Sequence, residues 1–99
     1  MMTTKALIKI LSSLPPYTKV FIDGYEGGID DINRIYYSKI ALNVNDTEYD
    51  GDHEDPMSGE EVERYKSENK KIVKGVIISR MNRVTYDKRL QFYEKKTKK

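Results

Sequence analysis

Acidic side chains are the most concentrated chemical groups in this chain of 99 residues. Residues 23–63 hold thirteen acids against two bases, Arg34 and Lys39, and so carry a charge of −11. Residues 64–99 hold thirteen bases against three acids, which gives +10, and three lysines in residues 1–22 bring the total to +2. The small net charge therefore results from cancellation between oppositely charged regions.

Metal binding is the first chemistry that the acidic region could support. Acids alternate from Asp46 to Asp50 and Gly51 follows, as in the first half of an EF-hand loop, but the twelfth position is Met57 instead of a bidentate glutamate. The chain has no cysteine, and His53 is its only histidine, so the usual zinc ligand sets cannot be assembled. We predict no resident metal or cofactor, with divalent-cation binding as an alternative.

Acid–base and nucleophilic catalysis are also poorly supported. His53 would need a nucleophile and an orienting partner, and the chain has no nucleophile motif. Asp30 and Asp31 do not form an acid–base pair, because adjacent residues of an extended chain point to opposite faces. The acids around the glycine-rich segment 24–28 would repel a phosphate, so we expect a hairpin turn there. We predict that the protein is not an enzyme.

The basic C-terminal region supports a different hypothesis. Its lysines and arginines are interleaved with Tyr86, Phe92 and Tyr93, a composition that suits contact with a phosphate backbone. However, a lysine-rich end also serves solubility alone, and the acids of residues 23–63 would repel nucleic acid that approached on their side. Direct nucleic-acid binding is therefore an alternative to the main prediction.

Hydrophobic spacing and capping residues predict the elements of the N-terminal half. A first helix is capped by Thr3 or Thr4 and ends before the two prolines at positions 15 and 16. Residues 17–23 are apolar on both faces, which predicts a central or well-covered strand. Residues 24–31 follow as a turn with an acidic rim.

The next segments alternate between strand and loop patterns. A strand should begin near Ile32, and a change of phase in its apolar residues predicts a bulge around Ser38 and Lys39. Residues 43–56 read as an exposed acidic loop. A capping box at Ser58 predicts a second helix.

The C-terminal segments complete the predicted fold. Residues 72–79 predict a buried strand with a bulge at Gly75, and the spacing of Tyr86, Leu90 and Tyr93 predicts a terminal helix from about Thr85. Together these elements give an α+β fold with a small, three-stranded, mainly antiparallel sheet and helices packed on one face. We predict one domain over residues 1–94 and a basic tail over residues 95–99.

The apolar runs are too short for a signal peptide or a membrane span. The lack of cysteine suits a reducing compartment. We therefore expect a soluble, cytoplasmic protein with no membrane partner.

Two segments carry a family resemblance. Val20–Asp31, with Gly-Tyr-Glu-Gly-Gly at its centre, and Leu42–Glu54 resemble a group of small, mostly uncharacterised proteins of bacteria, phages and integrated mobile elements. In that group, a helix and a Leu-Pro-Pro-like turn precede the hairpin, as residues 7–16 do here. The resemblance implies an accessory protein of a mobile element, a class in which non-enzymatic inhibitors of host defence are common. It supplies no catalytic residue.

The charge pattern and the resemblance together predict a non-enzymatic binding protein that inhibits a host nucleic-acid-handling or defence complex. Its acidic, tyrosine-rich turn and loop would imitate a phosphate lattice in a basic groove of the host protein. The candidate partner-binding residues are Tyr25, Glu26, Asp30, Asp31, Tyr49, Asp50, Asp52, His53 and Glu54. Alternatives are capture of a nucleotide-type signal or cation at the Gly-Tyr-Glu-Gly-Gly turn, and self-association into a homo-oligomer through the opposite charges.

Overall fold

A computed structural model describes residues 1–81 and 90–94 of the chain. Its elements, in chain order, are α1 (Thr4–Ser12), β1 (Phe21–Asp23), β2 (Ile29–Asp31), β3 (Arg34–Ala41), α2 (Gly59–Ser67), β4 (Ile72–Ser79) and β5 (Leu90–Glu94). β1 and β2 form an antiparallel hairpin, while β4, β3 and β5 form an antiparallel sheet with β3 at its centre. The predicted α+β class is confirmed.

Both helices begin where their capping residues predict. The Thr3 hydroxyl accepts the Ala6 backbone N–H at 3.2 Å, and the Ser58 hydroxyl accepts the Glu61 backbone N–H at 3.2 Å. The Glu61 carboxylate in turn accepts the Met57 backbone N–H at 2.6 Å, one residue further back than in the usual capping box. The helix starts predicted from sequence are confirmed.

The predicted terminal helix is wrong where the structure describes it. Leu90 lies opposite Tyr37 in the sheet, and Tyr93 lies opposite Ile35. A β-bulge at Phe92 adds one residue to β5 between these two pairs. Leu90 and Tyr93 are therefore three positions apart in β5, whereas their partners in β3 are two positions apart. Because of this bulge, Leu90 and Tyr93 have the three-residue spacing that is typical of one face of a helix. The predicted helix start at Thr85 and the basic tail 95–99 lie outside the described residues.

The first predicted strand is too long and wrongly placed. Only Phe21–Asp23 is strand, and it pairs with β2 instead of joining the larger sheet. Val20 and Phe21 are about half exposed. Apolar residues on both faces therefore did not indicate a covered strand here, because the third position in the sheet is taken by β5.

The two predicted bulges in the central part of the sheet are also wrong. β3 and β4 pair without interruption from Arg34 opposite Ser79 to Ala41 opposite Ile72. Gly75 has a packing role instead, since a Cβ atom at this position would lie 3.2 Å from Cγ1 of Ile40. The strand boundaries of β4, Ile72–Ser79, are those that the sequence predicts.

The core of the protein is small. Tyr36, Ala41 and Val62 are its buried hydrophobic side chains among the described residues, and the Arg34 guanidinium lies 4.3 Å from the centre of the Tyr36 ring. α2 contacts β3 and β4 and contributes Val62, whereas α1 contributes no buried residue. Across residues 1–81 and 90–94, no helix is both long and apolar enough to cross a membrane.

Candidate interaction site

The nine candidate residues fall into two clusters at opposite ends of β3. At the Arg34 end, the Asn33 backbone N–H donates to the Ser79 carbonyl at 2.9 Å, and this anchors the preceding β1–β2 hairpin. At the Ala41 end, Ala41 and Glu54 exchange two backbone hydrogen bonds of 2.9 Å, which anchor the acidic loop, residues 43–56. Eight strand residues span about 23 Å, so the two anchoring points are separated by roughly that distance.

The hairpin cluster contains Tyr25, Glu26, Asp30 and Asp31. The turn closes through a hydrogen bond of 3.1 Å from the Gly24 N–H to the Gly28 carbonyl, and Glu26 has a positive φ of 61°. The hairpin turn predicted at residues 24–28 is therefore confirmed, whereas residues 29–31, which were predicted as part of the turn, form strand β2. Tyr25 does not stand alone, because the Arg80 guanidinium lies 5.3 Å from the centre of its ring.

The acidic loop is fastened to the sheet by a residue that the sequence analysis did not select. The Asp55 carboxylate accepts the Tyr36 hydroxyl at 3.0 Å and the Ser38 hydroxyl at 2.6 Å. Tyr36 and Ser38 lie on the same side of β3, two residues apart. Asp55 followed by proline has no distinctive sequence pattern, and only the β3 register identifies its two partners.

Hydrogen bonds within the loop fix its middle. The backbone N–H groups of Val44 and Asn45 both donate to the Asp52 carbonyl, at 2.8 and 3.1 Å. The Asn45 side-chain amide donates to the Gly51 carbonyl and to the Glu54 carboxylate, both at 2.8 Å. Backbone and side-chain hydrogen bonds thus join the start of the loop to its end. No regular strand or helix forms between residues 43 and 53.

His53 and Asp50 have internal partners in this loop. Nδ1 of His53 accepts the Asn43 backbone N–H at 2.9 Å, and the Asp50 carboxylate accepts the Thr47 hydroxyl at 3.0 Å. Together with Glu54, these candidate residues help to hold the loop conformation. Asp50 and His53 are nevertheless exposed, and contact between these residues and a partner stays a prediction.

The outward-facing groups of the loop are Tyr49 and a set of carboxylates. Tyr49 is 97% exposed, and the side chains of Asp46, Glu48 and Asp52 are also exposed. The loop therefore presents one aromatic ring among acids on a hydrogen-bonded backbone. Within residues 1–81 and 90–94, no three acidic or histidine side chains are arranged to hold a metal ion.

Comparison with known proteins finds no matching family, no matching curated protein and no matching solved structure. The resemblance to proteins of mobile elements stays a prediction from the sequence.

Proposed function

We propose that this chain is a non-enzymatic binding protein whose acidic loop contacts a basic surface of another macromolecule. The observation that carries the proposal is the combination of order and exposure in the loop. Asp55 and Asn45 hold its backbone in one conformation, while Tyr49 and the carboxylates of Asp46, Glu48, Asp50 and Asp52 are exposed. A loop that is ordered before binding loses less conformational entropy when its partner docks.

The chemistry of the exposed groups favours a partner that ordinarily binds phosphates. Asp46, Glu48 and Asp52 supply negative charge at separate points along the loop, and Tyr49 supplies a rigid aromatic anchor. A groove lined with lysine and arginine is the complementary surface. With the resemblance to mobile-element proteins, this supports inhibition of a host nucleic-acid-handling or defence complex.

The loop can be tested against the hairpin with two variants of equal charge change. The loop variant carries Asp46→Asn, Glu48→Gln and Asp52→Asn, and the hairpin variant carries Glu26→Gln, Asp30→Asn and Asp31→Asn. Each is used as bait in host lysate, with and without an excess of duplex DNA. We expect the loop variant and added DNA to abolish capture of the partner, and the hairpin variant to retain it.

Three results would count against this proposal. Equal capture by the loop variant and the unaltered chain would exclude the loop as the contact surface. Loss of capture in the hairpin variant alone would show that the partner contacts the β1–β2 hairpin instead of the acidic loop. Capture that duplex DNA does not reduce would exclude a phosphate-binding groove on the partner.

A further inference from the structure

Among the described residues, β4 is an edge strand, and the backbone groups on its outer side have no strand partner. The described strands are ordered β4, β3, β5, so no strand lies beyond β4 in this part of the chain. The carbonyls of Lys71 and Ser79 both accept hydrogen bonds from the β3 side, from Leu42 and Asn33. Because inward- and outward-pointing residues alternate in an antiparallel pair, the N–H and C=O groups of the four residues Ile72, Lys74, Val76 and Ile78 point outward.

An apolar groove runs along the same strand. It has a volume of about 680 Å³ and lies between β4 and the start of α1, where Leu7, Tyr37, Val76 and Ile78 contribute to its lining. Val76 is 41% exposed, so the groove is accessible from solvent. An exposed apolar edge of this length is unusual in a protein that stays monomeric, because it invites a further strand to pair.

The charge along β4 defines what kind of strand would fit. Residues 70–80 contain four bases and no acid. Lys74 lies directly opposite Lys39 in the register, an arrangement of like charges that is destabilising on its own. By alternation, Lys74, Val76, Ile78 and Arg80 follow one another along one face of the strand, giving a basic, apolar, apolar, basic sequence.

We propose that the β4 edge binds an extended, acidic segment of a partner protein by strand addition. Main-chain hydrogen bonds to the outward groups of β4 would provide affinity, and the groove would take the apolar side chains. Acids of the added strand would lie beside Lys74 and Arg80. The site is distinct from the acidic loop and has the opposite charge.

A second copy of this chain is a poorer occupant of the edge. Antiparallel pairing of two β4 strands about Gly75, which sets outward-pointing residues opposite one another, would place Lys70 of one copy opposite Arg80 of the other, twice by symmetry. Like charges at both ends of the pair oppose this dimer. The same bases favour an acidic strand.

Three synthetic peptides test the proposal on the full chain. The probe is Glu-Thr-Val-Thr-Val-Thr-Glu, which matches the face from Lys74 to Arg80 in either strand direction. The charge control is Lys-Thr-Val-Thr-Val-Thr-Lys. The pairing control is the probe with N-methyl groups on its third, fourth and fifth residues, which removes N–H groups that face β4 in either strand direction and keeps every side chain. We expect NMR shift changes at residues 72–78 with the probe, at least about tenfold weaker binding of the charge control and no binding of the pairing control.

Protein variants separate strand addition from charge attraction. Val76→Pro removes an outward N–H and leaves the β3 hydrogen bonds intact, so it should abolish probe binding in a folded chain. Lys74→Glu should shift preference towards the lysine peptide, whereas Lys66→Glu on α2 should not change it.

Several outcomes would overturn the proposal. These are equal binding of both charged peptides, full probe binding by the Val76→Pro chain, and sedimentation of the unliganded chain as a dimer that the same substitution dissociates. Binding of anionic lipid vesicles through Lys74 without any binding of the probe would assign the surface to a membrane instead.

Discussion

At the residue scale, Asp55 is the residue whose side chain links the acidic loop to β3, beside the backbone bridge between Glu54 and Ala41. We expect Asp55→Ala to lower the free energy of unfolding by about 1–3 kcal/mol, because the part-buried hydroxyls of Tyr36 and Ser38 lose their acceptor. Urea denaturation measures the change. The matched control is Asp46→Ala in the same loop, which should stay within about 0.5 kcal/mol of the unaltered chain because Asp46 is exposed. Equal effects of the two substitutions would contradict the proposed linkage.

Gly24 gives a second residue-scale prediction. A Cβ atom there would lie 2.5 Å from the Gly27 carbonyl oxygen, whereas a Cβ atom on Gly51 would meet no atom within 4 Å. We expect Gly24→Ala to disrupt the hairpin turn, seen as faster amide exchange at residues 21–31. Gly51→Ala should leave exchange in the acidic loop unchanged. Unaltered hairpin exchange in the Gly24→Ala chain would show that the turn relaxes without cost.

The acidic loop offers a third prediction through His53. We expect His53→Ala to accelerate exchange of the Asn43 backbone amide, because that amide loses its acceptor. Exchange in β4 should be unaffected and serves as the internal reference. No acceleration at Asn43 would mean that His53 does not help to hold the loop.

At the element scale, the two helices have similar caps but different relations to the core. α2 contributes the buried Val62, and α1 contributes no buried residue. We therefore expect Ser58→Ala to lower the global free energy of unfolding by about 1 kcal/mol. Thr3→Ala should reduce the helix content of α1 by circular dichroism while leaving the global unfolding midpoint nearly unchanged. Equal effects on global unfolding would show that α1 is docked more firmly than its exposure indicates.

The elements also show what local sequence information can establish. Thr3, Ser58 and the β-branched run of β4 act through near neighbours, so their elements follow directly from the sequence. The assignment of β5 failed because its bulge produces helical spacing between Leu90 and Tyr93. The prediction for β1 failed because its position depends on which strand pairs with β3. That long-range pairing cannot be deduced from a local sequence pattern.

In the candidate site, too, some features follow from local sequence and others depend on long-range pairing. The acids and Tyr49 were identified from their residue types and from the polar, glycine-containing pattern that predicts an exposed loop. The fastening role of Asp55 and the separation of hairpin from loop depend on β3, whose register and length set both. Sequence analysis therefore selected the exposed groups that could bind and three of the residues that hold the loop, Asp50, His53 and Glu54, but it missed Asp55 and Asn45.

At the scale of the whole molecule, charge repulsion within the acidic region should oppose folding. Thirteen acids and two bases lie in residues 23–63, and the ion pair between Lys66 and Glu63 on α2 is exposed, with 3.5 Å between its atoms. We expect the thermal midpoint to rise as salt increases from about 20 to 200 mM, because screening weakens the repulsion more than it weakens exposed pairs. A falling midpoint in differential scanning calorimetry would mean that attraction between the acidic and basic regions dominates.

The backbone hydrogen bond of 2.9 Å from Leu42 to Lys71 has a consequence for how such a chain can diversify. It joins the two ends of the segment 43–70, which contains the acidic loop and α2. This segment therefore leaves the sheet and returns to it at the same place. Insertions, deletions and exchanges in the exposed part of the loop leave the register of β3 and β4 untouched. Under the proposed function, the loop could therefore change in sequence and length along with its partner, provided that Asp55 and Val62 keep their contacts with the sheet.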